Sequence, residues 1–319
     1  MHFLLCLFFQ PAAAQENGRK VYTPDLDSLW SQTAFIHSLS PDGNWVVMGE
    51  IFEKSGAALA LMKTDGTVKV DIGRAEPVLF SADNKWCAYQ STEGKLTVLG
   101  LQSKKRSSIS YADVIPYNFE FSNDGSRIAF LQTRGDKNSL VIVELVNNQK
   151  TELQDITEFN WSPVKNTVLA NRKDKAGSFV LLFDTSLSKE RPVIQNSESS
   201  YTDFRWSEKG NSVVFYENDN EQIHLHHYDL SGSKKTLLNA AVGSKFPDAV
   251  IHNKELLISA DGKNVFFYRK EKGRIYDKGN DMEVWETKEP WIYPNMKNYD
   301  ERERYFLLTL WDTSANMIT

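Results

Sequence analysis

The residues best placed to contact a ligand lie late in the chain, in the run DMEVWETKEPWIYP from Asp281 to Pro294. Asp281 and Glu283 could pair with an ammonium group, while Trp285, Trp291 and Tyr293 offer flat apolar faces beside them. These five are the candidate substrate-binding residues. The competing reading is that the run simply braces its neighbours. Elsewhere the chemistry is thinner. His224, His226 and His227 form the one histidine concentration, but on a strand His224 and His226 share a face and His227 points away. Two such ligands fall short of a zinc site. Asp42, Asp124 and Asp261 each precede a glycine, where a carboxylate caps a tight turn more naturally than it holds calcium. The chain contains no G-x-S-x-G, so it has no nucleophile elbow and no residue is assigned a catalytic role. The Ser55-Gly56 and Ser231-Gly232-Ser233 pairs read as hairpin turns. No metal and no cofactor is expected.

Composition narrows the partners. A chain of 319 residues with 41% apolar and 25% charged residues can bury a core without metals or disulfides. A net charge of -5, with no basic stripe, argues against a nucleic-acid partner. Lys104, Lys105 and Arg106 read as a solvated turn. The opening MHFLLCLFFQPAAA has a short apolar run and a small-residue cleavage pattern at Ala12, Ala13 and Ala14. Residues 1–14 are therefore read as a secretory signal, and the protein as exported, periplasmic or secreted. That run is too short to span a bilayer. Beyond it stands a single cysteine, Cys87, in an apolar stretch. It reads as a core residue with no disulfide partner.

What positions these residues is a repeat. SPDGNWVV begins at Ser40, SADNKWCAY at Ser81, SNDGSRIAF at Ser122, SPVKNTVLA at Ser162, SEKGNSVVF at Ser207 and SADGKNVFF at Ser259. Successive intervals are 41, 41, 40, 45 and 52 residues. A period in the low forties matches one four-stranded blade of a β-propeller. Each phrase reads as a tight turn joining two strands, with a second hairpin following. Phe119 and Phe121 thus lead into Asn123-Asp124-Gly125, and Ile128 to Leu131 return. Apolar runs without strict alternation imply strands covered on both faces, as stacked blades provide. Trp45, Trp86, Trp161 and Trp206 flank the phrase and are read as blade core. The expected fold is all-β, a propeller of about six blades. A lead-in covers 15–36 and the propeller 37–319.

The sixth repeat breaks the grammar. After Val265-Phe266-Phe267-Tyr268 a charged and aromatic stretch at 270–304 replaces the expected hairpin. Strand-like sequence then returns as YFLLTLWDT. The last blade is accordingly expected to be incomplete, and the chain to be a fragment of something longer or a shortened relative.

The SPDG-type repeats, the segment from Asp281 to Pro294 and the strand carrying Trp311 together resemble the propeller of bacterial exported prolyl oligopeptidase-family serine peptidases, of the kind found in Bacteroidetes-like organisms. The resemblance covers essentially the chain beyond its signal. It implies a propeller that gates peptide substrates on their way to a C-terminal α/β-hydrolase domain holding Ser, Asp and His, where Ser would attack a peptide carbonyl. That domain has no counterpart in these residues, so none of its catalytic residues is carried over. A stand-alone periplasmic scaffold propeller, similar to the Tol-system protein, is the alternative, although the small domain that precedes such propellers is missing. A glycan-active propeller would require carboxylates facing inward from several blades.

Overall fold

The structure is a computed structural model, and it describes residues 32–52, 56–102, 107–175, 177–219, 222–231, 234–237, 239–246, 249–271 and 306–319. Residues 1–14, the basic Lys104–Arg106 turn and most of the stretch at 270–304 lie outside the described residues.

Every described strand belongs to one of six four-stranded antiparallel sheets, each with its strands in chain order. The first sheet holds β1 (Gln32–Leu39), β2 (Trp45–Phe52), β3 (Gly56–Lys63) and β4 (Lys69–Gly73). The second holds β5 (Ala75–Phe80), β6 (Trp86–Ser91), β7 (Leu96–Gly100) and β8 (Ser108–Tyr111). The third holds β9 (Val114–Phe121), β10 (Arg127–Arg134), β11 (Lys137–Glu144) and β12 (Gln149–Gln154). The fourth holds β13 (Ile156–Trp161), β14 (Thr167–Asp174), β15 (Gly177–Asp184) and β16 (Lys189–Ser197). The fifth holds β17 (Ser200–Trp206), β18 (Ser212–Asp219), β19 (Gln222–Asp229) and β20 (Lys234–Leu237). A short helix, α1 (Asn239–Lys245), precedes the sixth sheet of β21 (Ala249–Ile258), β22 (Asn264–Glu271), β23 (Phe306–Asp312) and β24 (Met317–Ile318). These are propeller blades, as the repeat predicts, and the sixth, expected to be incomplete, has all four strands, the last being the two-residue β24. The helix is the element that the sequence does not announce, and it accounts for the long final interval. β1 begins at Gln32, so residue 37 lies inside that strand.

The Ser phrase is a self-contained hydrogen-bonded turn. Ser122 Oγ donates to Asp124 Oδ1 at 2.7 Å and accepts the Arg127 N–H at 3.0 Å, while the Gly125 N–H closes onto the Ser122 carbonyl at 2.9 Å. Ser81 and Ser259 repeat the arrangement with Asp83 and Asp261, and Ser207 substitutes Asn211. The aspartates are therefore turn caps. Burial opposes ionisation of Asp124, yet hydrogen bonds from Ser122, Ser126 and Asn166 bring its carboxyl down to about 2. Gly125 stands at φ +69°, and a Cβ there would meet Asp83 Oδ1 at 2.7 Å, so this turn is both left-handed and closely stacked on the preceding one. Ser122 is 1% exposed. Replacing Ser122 with alanine strands the Arg127 N–H, and we expect a loss of roughly 1–2 kcal/mol in urea unfolding at pH 7. An unchanged midpoint would show the hydroxyl to be dispensable.

By contacts the described chain divides into two units. Unit 1 comprises β1 together with residues 44–74, and unit 2 comprises residues 40–43 and 75–319. In unit 1, Val47 and Leu61 are fully buried, and Gly49 sits directly beneath the Phe35 ring, where no side chain fits. In unit 2 the alternation of each strand feeds two cores. Ile128 and Phe130 of β10 join Ala88, Leu96 and Val98 of the second sheet, while Ala129 and Leu131 join Val168 and Ala170 of the fourth. Leu169 and Val180 meet Val213 and Phe215, and Tyr216 and Leu225 meet Val265, Phe267 and Trp311. Each such valine, leucine, isoleucine or phenylalanine contributes roughly 1.5–3 kcal/mol on burial. Cys87 is fully buried, and burial pushes its thiol up to about 12, so it is inert core.

Candidate functional site

The first strand of each sheet in unit 2 lies against the first strand of the next: β5 on β9, β9 on β13, β13 on β17 and β17 on β21. These inner strands are where side chains from several blades converge. Each is also irregular. Pairing shifts between Ile156 and Glu158 in β13, between Thr202 and Arg205 in β17, and between His252 and Leu257 in β21. Such bulges re-aim side chains out of the alternating pattern. In β17 the extra residues include Asp203, held at φ +59°, a conformation that non-glycine residues adopt rarely and aspartate most readily.

The position two before the turn serine holds Glu120, Asn160 and Arg205 in three consecutive repeats. The strands are stitched together there. The Trp161 indole N–H donates to the Glu120 carbonyl at 3.3 Å, and the Trp206 indole N–H to the Asn160 carbonyl at 3.3 Å. The Trp161 main-chain N–H donates to Glu120 Oε2 at 3.3 Å, and the Phe204 N–H to Glu158 Oε1 at 3.2 Å. Arg205 Nε donates to the Leu256 carbonyl at 3.3 Å and Nη1 to the Phe204 carbonyl at 3.4 Å. Among the described residues its guanidinium forms no ion pair.

The exposed Arg205 acts electrostatically on three carboxyls of the inner strands, Glu120, Glu158 and Asp203. Burial pushes Glu120 up to about 7, against the pull of the Trp161 N–H and the Arg205 charge. Burial also raises Glu158, where the Asp203 charge adds to it and the Phe204 N–H and Arg205 oppose it. Burial raises Asp203, again against Arg205. Tyr216 of β18, directly across from Thr202, is fully buried, and its hydroxyl makes no hydrogen bond among the described residues. Burial holds its phenol well above the ordinary value, with the Asp203 charge acting the same way and Arg205 against it. The arrangement can bind a charged group and can exchange a proton near neutrality. No serine, threonine or cysteine appears among its named groups.

The expected site residues Asp281, Glu283, Trp285, Trp291 and Tyr293 lie outside the described residues. The histidines separate as expected. His226 is buried with Glu217 and Thr236, and His227 Nε2 contacts the Gly262 carbonyl at 2.8 Å. No group of three or more His, Cys, Asp or Glu suited to a metal gathers among the described residues. Of the four tryptophans, Trp45 and Trp161 are core, whereas Trp86 and Trp206 are half-buried. Sequence reasoning missed Glu120, Glu158, Asp203, Arg205 and Tyr216. The available signal was the polar position two before the serine, apolar at Leu79 and Leu257 but polar in the three repeats between.

No protein-family model matches the chain, and no curated protein matches it in sequence. Solved structures do resemble it. A eukaryotic initiation factor aligns at a TM-score of 0.51 and 16% identity, over 74% of this chain and 59% of that one. The β-propeller domain of the trilobed protease from Pyrococcus furiosus aligns at 0.49 and 12%, over 90% and 84%. TolB from Acinetobacter baumannii aligns at 0.43 and 14%, over 91% and 63%. At such identities the likeness is one of fold. Among the described residues no helix is long and apolar enough to cross a membrane.

Proposed function

We propose that this chain is the propeller portion of an exported serine peptidase of the prolyl oligopeptidase type, and that its inner strands screen peptides bound for an α/β-hydrolase domain. The observation that carries this reading is the ionisable wall formed by Glu120, Glu158, Asp203 and Arg205 on successive inner strands. A screening passage has to offer polar groups that meet a peptide, and here the exposed Arg205 and three ionisable acids line successive inner strands. The hairpin of β22 and β23 adds support. It keeps continuous register from Asn264↔Asp312 to Lys270↔Phe306 although 272–305 intervene. The pairing of this blade is thus unbroken on either side of the aromatic and acidic stretch.

The test reads the encoding frame past codon 319 and assays its full product. An in-frame G-x-S-x-G with Asp and His downstream is expected, together with cleavage of short peptides and sparing of folded proteins. A stop codon there overturns the peptidase reading and leaves a stand-alone binding propeller.

A further inference from the structure

We propose that Tyr117, on the inner strand β9, is a stacking platform for a ring-bearing side chain of a peptide, such as phenylalanine. That the ligand is a peptide rests on the reading above. The platform itself is argued from local geometry.

The backbone comes first. Tyr117 stands at φ +62°. Among the described residues eight non-glycine residues have positive φ, and the other seven are asparagine, aspartate or serine. Their short polar side chains suit that region, whereas a bulky ring there is strained. Asn118, a residue type that accepts it readily, stands one position along and is not the one used. Strain of this kind persists only where the surroundings over-determine it.

Those surroundings are built. Gln90 of β6 is 2% exposed, and both ends of its amide reach this part of β9. Its Nε2 donates to the Val114 carbonyl at 2.8 Å, and its Oε1 accepts the Tyr117 N–H at 3.1 Å. Asn118 Nδ2 closes onto the Pro116 carbonyl at 2.8 Å. β9 pairs with β10 through Val114↔Gln132 and next through Phe119↔Phe130, so residues 115–118 stand opposite Leu131 alone. A buried glutamine of the preceding blade therefore fixes a four-residue projection on an inner strand.

The ring that this device holds faces water. Tyr117 is 64% exposed and makes no ring or cation contact with another described residue. Tyr111, by contrast, packs on Phe130 with centroids 4.7 Å apart. Folding gains little from a strained and solvated ring, so its use lies in what it meets from outside. A tyrosine locked by its backbone offers a broad amphipathic face with little left to order when a ligand arrives. β5 and β13 lie against β9, and their own pairing interruptions carry the exposed Glu76 and Thr157. An apolar platform in a row of polar groups suits a peptide, which brings side chains and main-chain amides together.

The test has two readouts, both on the whole chain. Urea unfolding compares the wild type with Tyr117→Gly, Tyr117→Asn and Tyr117→Phe. Glycine and asparagine accept the left-handed backbone, so each should raise the midpoint by roughly 0.3 M, while phenylalanine leaves it unchanged. Ligand-detected NMR then measures the dissociation constants of acetyl-Ala-Phe-Ala-amide, acetyl-Ala-Ala-Ala-amide and the disaccharide methyl β-cellobioside. The phenylalanine peptide should bind roughly tenfold more tightly than the alanine peptide. Tyr117→Gly should remove that advantage and Tyr117→Phe should keep it. A gain in stability joined to a loss of binding is a pattern that a merely structural tyrosine does not give. A midpoint lowered or unmoved by both glycine and asparagine overturns the proposal, because the ring then braces the fold or costs it nothing. Equal binding of both peptides, indifferent to Tyr117→Gly, overturns the platform and leaves peptide screening standing. Binding of the disaccharide alone, lost in Tyr117→Gly, overturns the peptide ligand together with the reading it rests on. Failure of all three probes to bind overturns the proposal.

Discussion

Replacing Trp311 with alanine should lower the unfolding free energy by roughly 3–5 kcal/mol, the range for an aromatic removed from a closed core. Trp311 is 0% exposed and sits in β23 between Val265 and Ile318. Its ring joins two sheets, packing with Val214, Tyr216 and Leu225 from the fifth and Val265 and Phe267 from the sixth. The His227 ring meets it edge-on at 6.4 Å and 81°. Its indole N–H donates to Asn316 Oδ1 at 3.1 Å, holding the turn into β24. Truncation empties a volume bordered by strands already fixed by their own ladders, so the gap cannot close cheaply. It also removes the bond that restrains Asn316 at φ +53°. Trp311→Phe, which keeps most of the area but loses the N–H, should recover more than half of the deficit. The measurement is urea unfolding followed by circular dichroism. A loss below about 1 kcal/mol would mean that the sixth sheet is not part of the cooperative core.

The same strand shows what the sequence makes legible. YFLLTLWDT reads as a strand from its apolar run, and the six Ser phrases locate the turn between the first and second strands of every sheet, because that turn is specified locally by Ser, Asp and Gly. Burial on both faces was equally readable: Ile128 and Phe130 serve one core and Ala129 and Leu131 another. The candidate site was not readable in that way. Which strand of a blade lies innermost depends on contacts between blades, and no periodicity encodes it. Asp203 also leaves the alternating pattern through a bulge, so counting by twos puts its side chain on the wrong face. The histidines show the converse. Counting by twos correctly parted His226 from His227, because β19 pairs with β18 in unbroken register.

That regular register underlies the second large effect. Glu217→Ala should cost about 3 kcal/mol at pH 7 and almost nothing at pH 2. Glu217 Oε2 lies 2.5 Å from His226 Nε2, and Tyr201 donates its hydroxyl to Glu217 Oε1 at 3.1 Å. His226 Nδ1 faces Thr236 Oγ1 at 2.9 Å. With the imidazole neutral, Nε2–H donates to the carboxylate and Nδ1 accepts from the threonine, so every group is satisfied. Hydrogen bonding from His226 is the main cause that lowers Glu217 from its ordinary 4.5 to about 2. A carboxyl depressed on folding adds stability that is fully present above 4.5 and is lost as pH falls toward 2. Burial lowers His226 below its ordinary 6.5, with Glu217 pulling the other way. The unfolded chain therefore takes up the histidine proton first, and stability again falls on acidification, beginning below 6.5. Both groups slope in the same direction, and the wild type should lose stability steadily from neutrality to pH 2. Alanine at 217 removes the acceptor of the His226 N–H and of the Tyr201 hydroxyl, which is where the neutral-pH cost arises. Glutamine at 217 still accepts one of those bonds, so it should cost about 1 kcal/mol and flatten the acid slope. The decisive comparison is the gap between wild type and Glu217→Ala in urea unfolding at pH 7 and at pH 2.5. A gap that stays the same at both values would mean that the carboxylate charge does nothing in the fold and that only its shape matters.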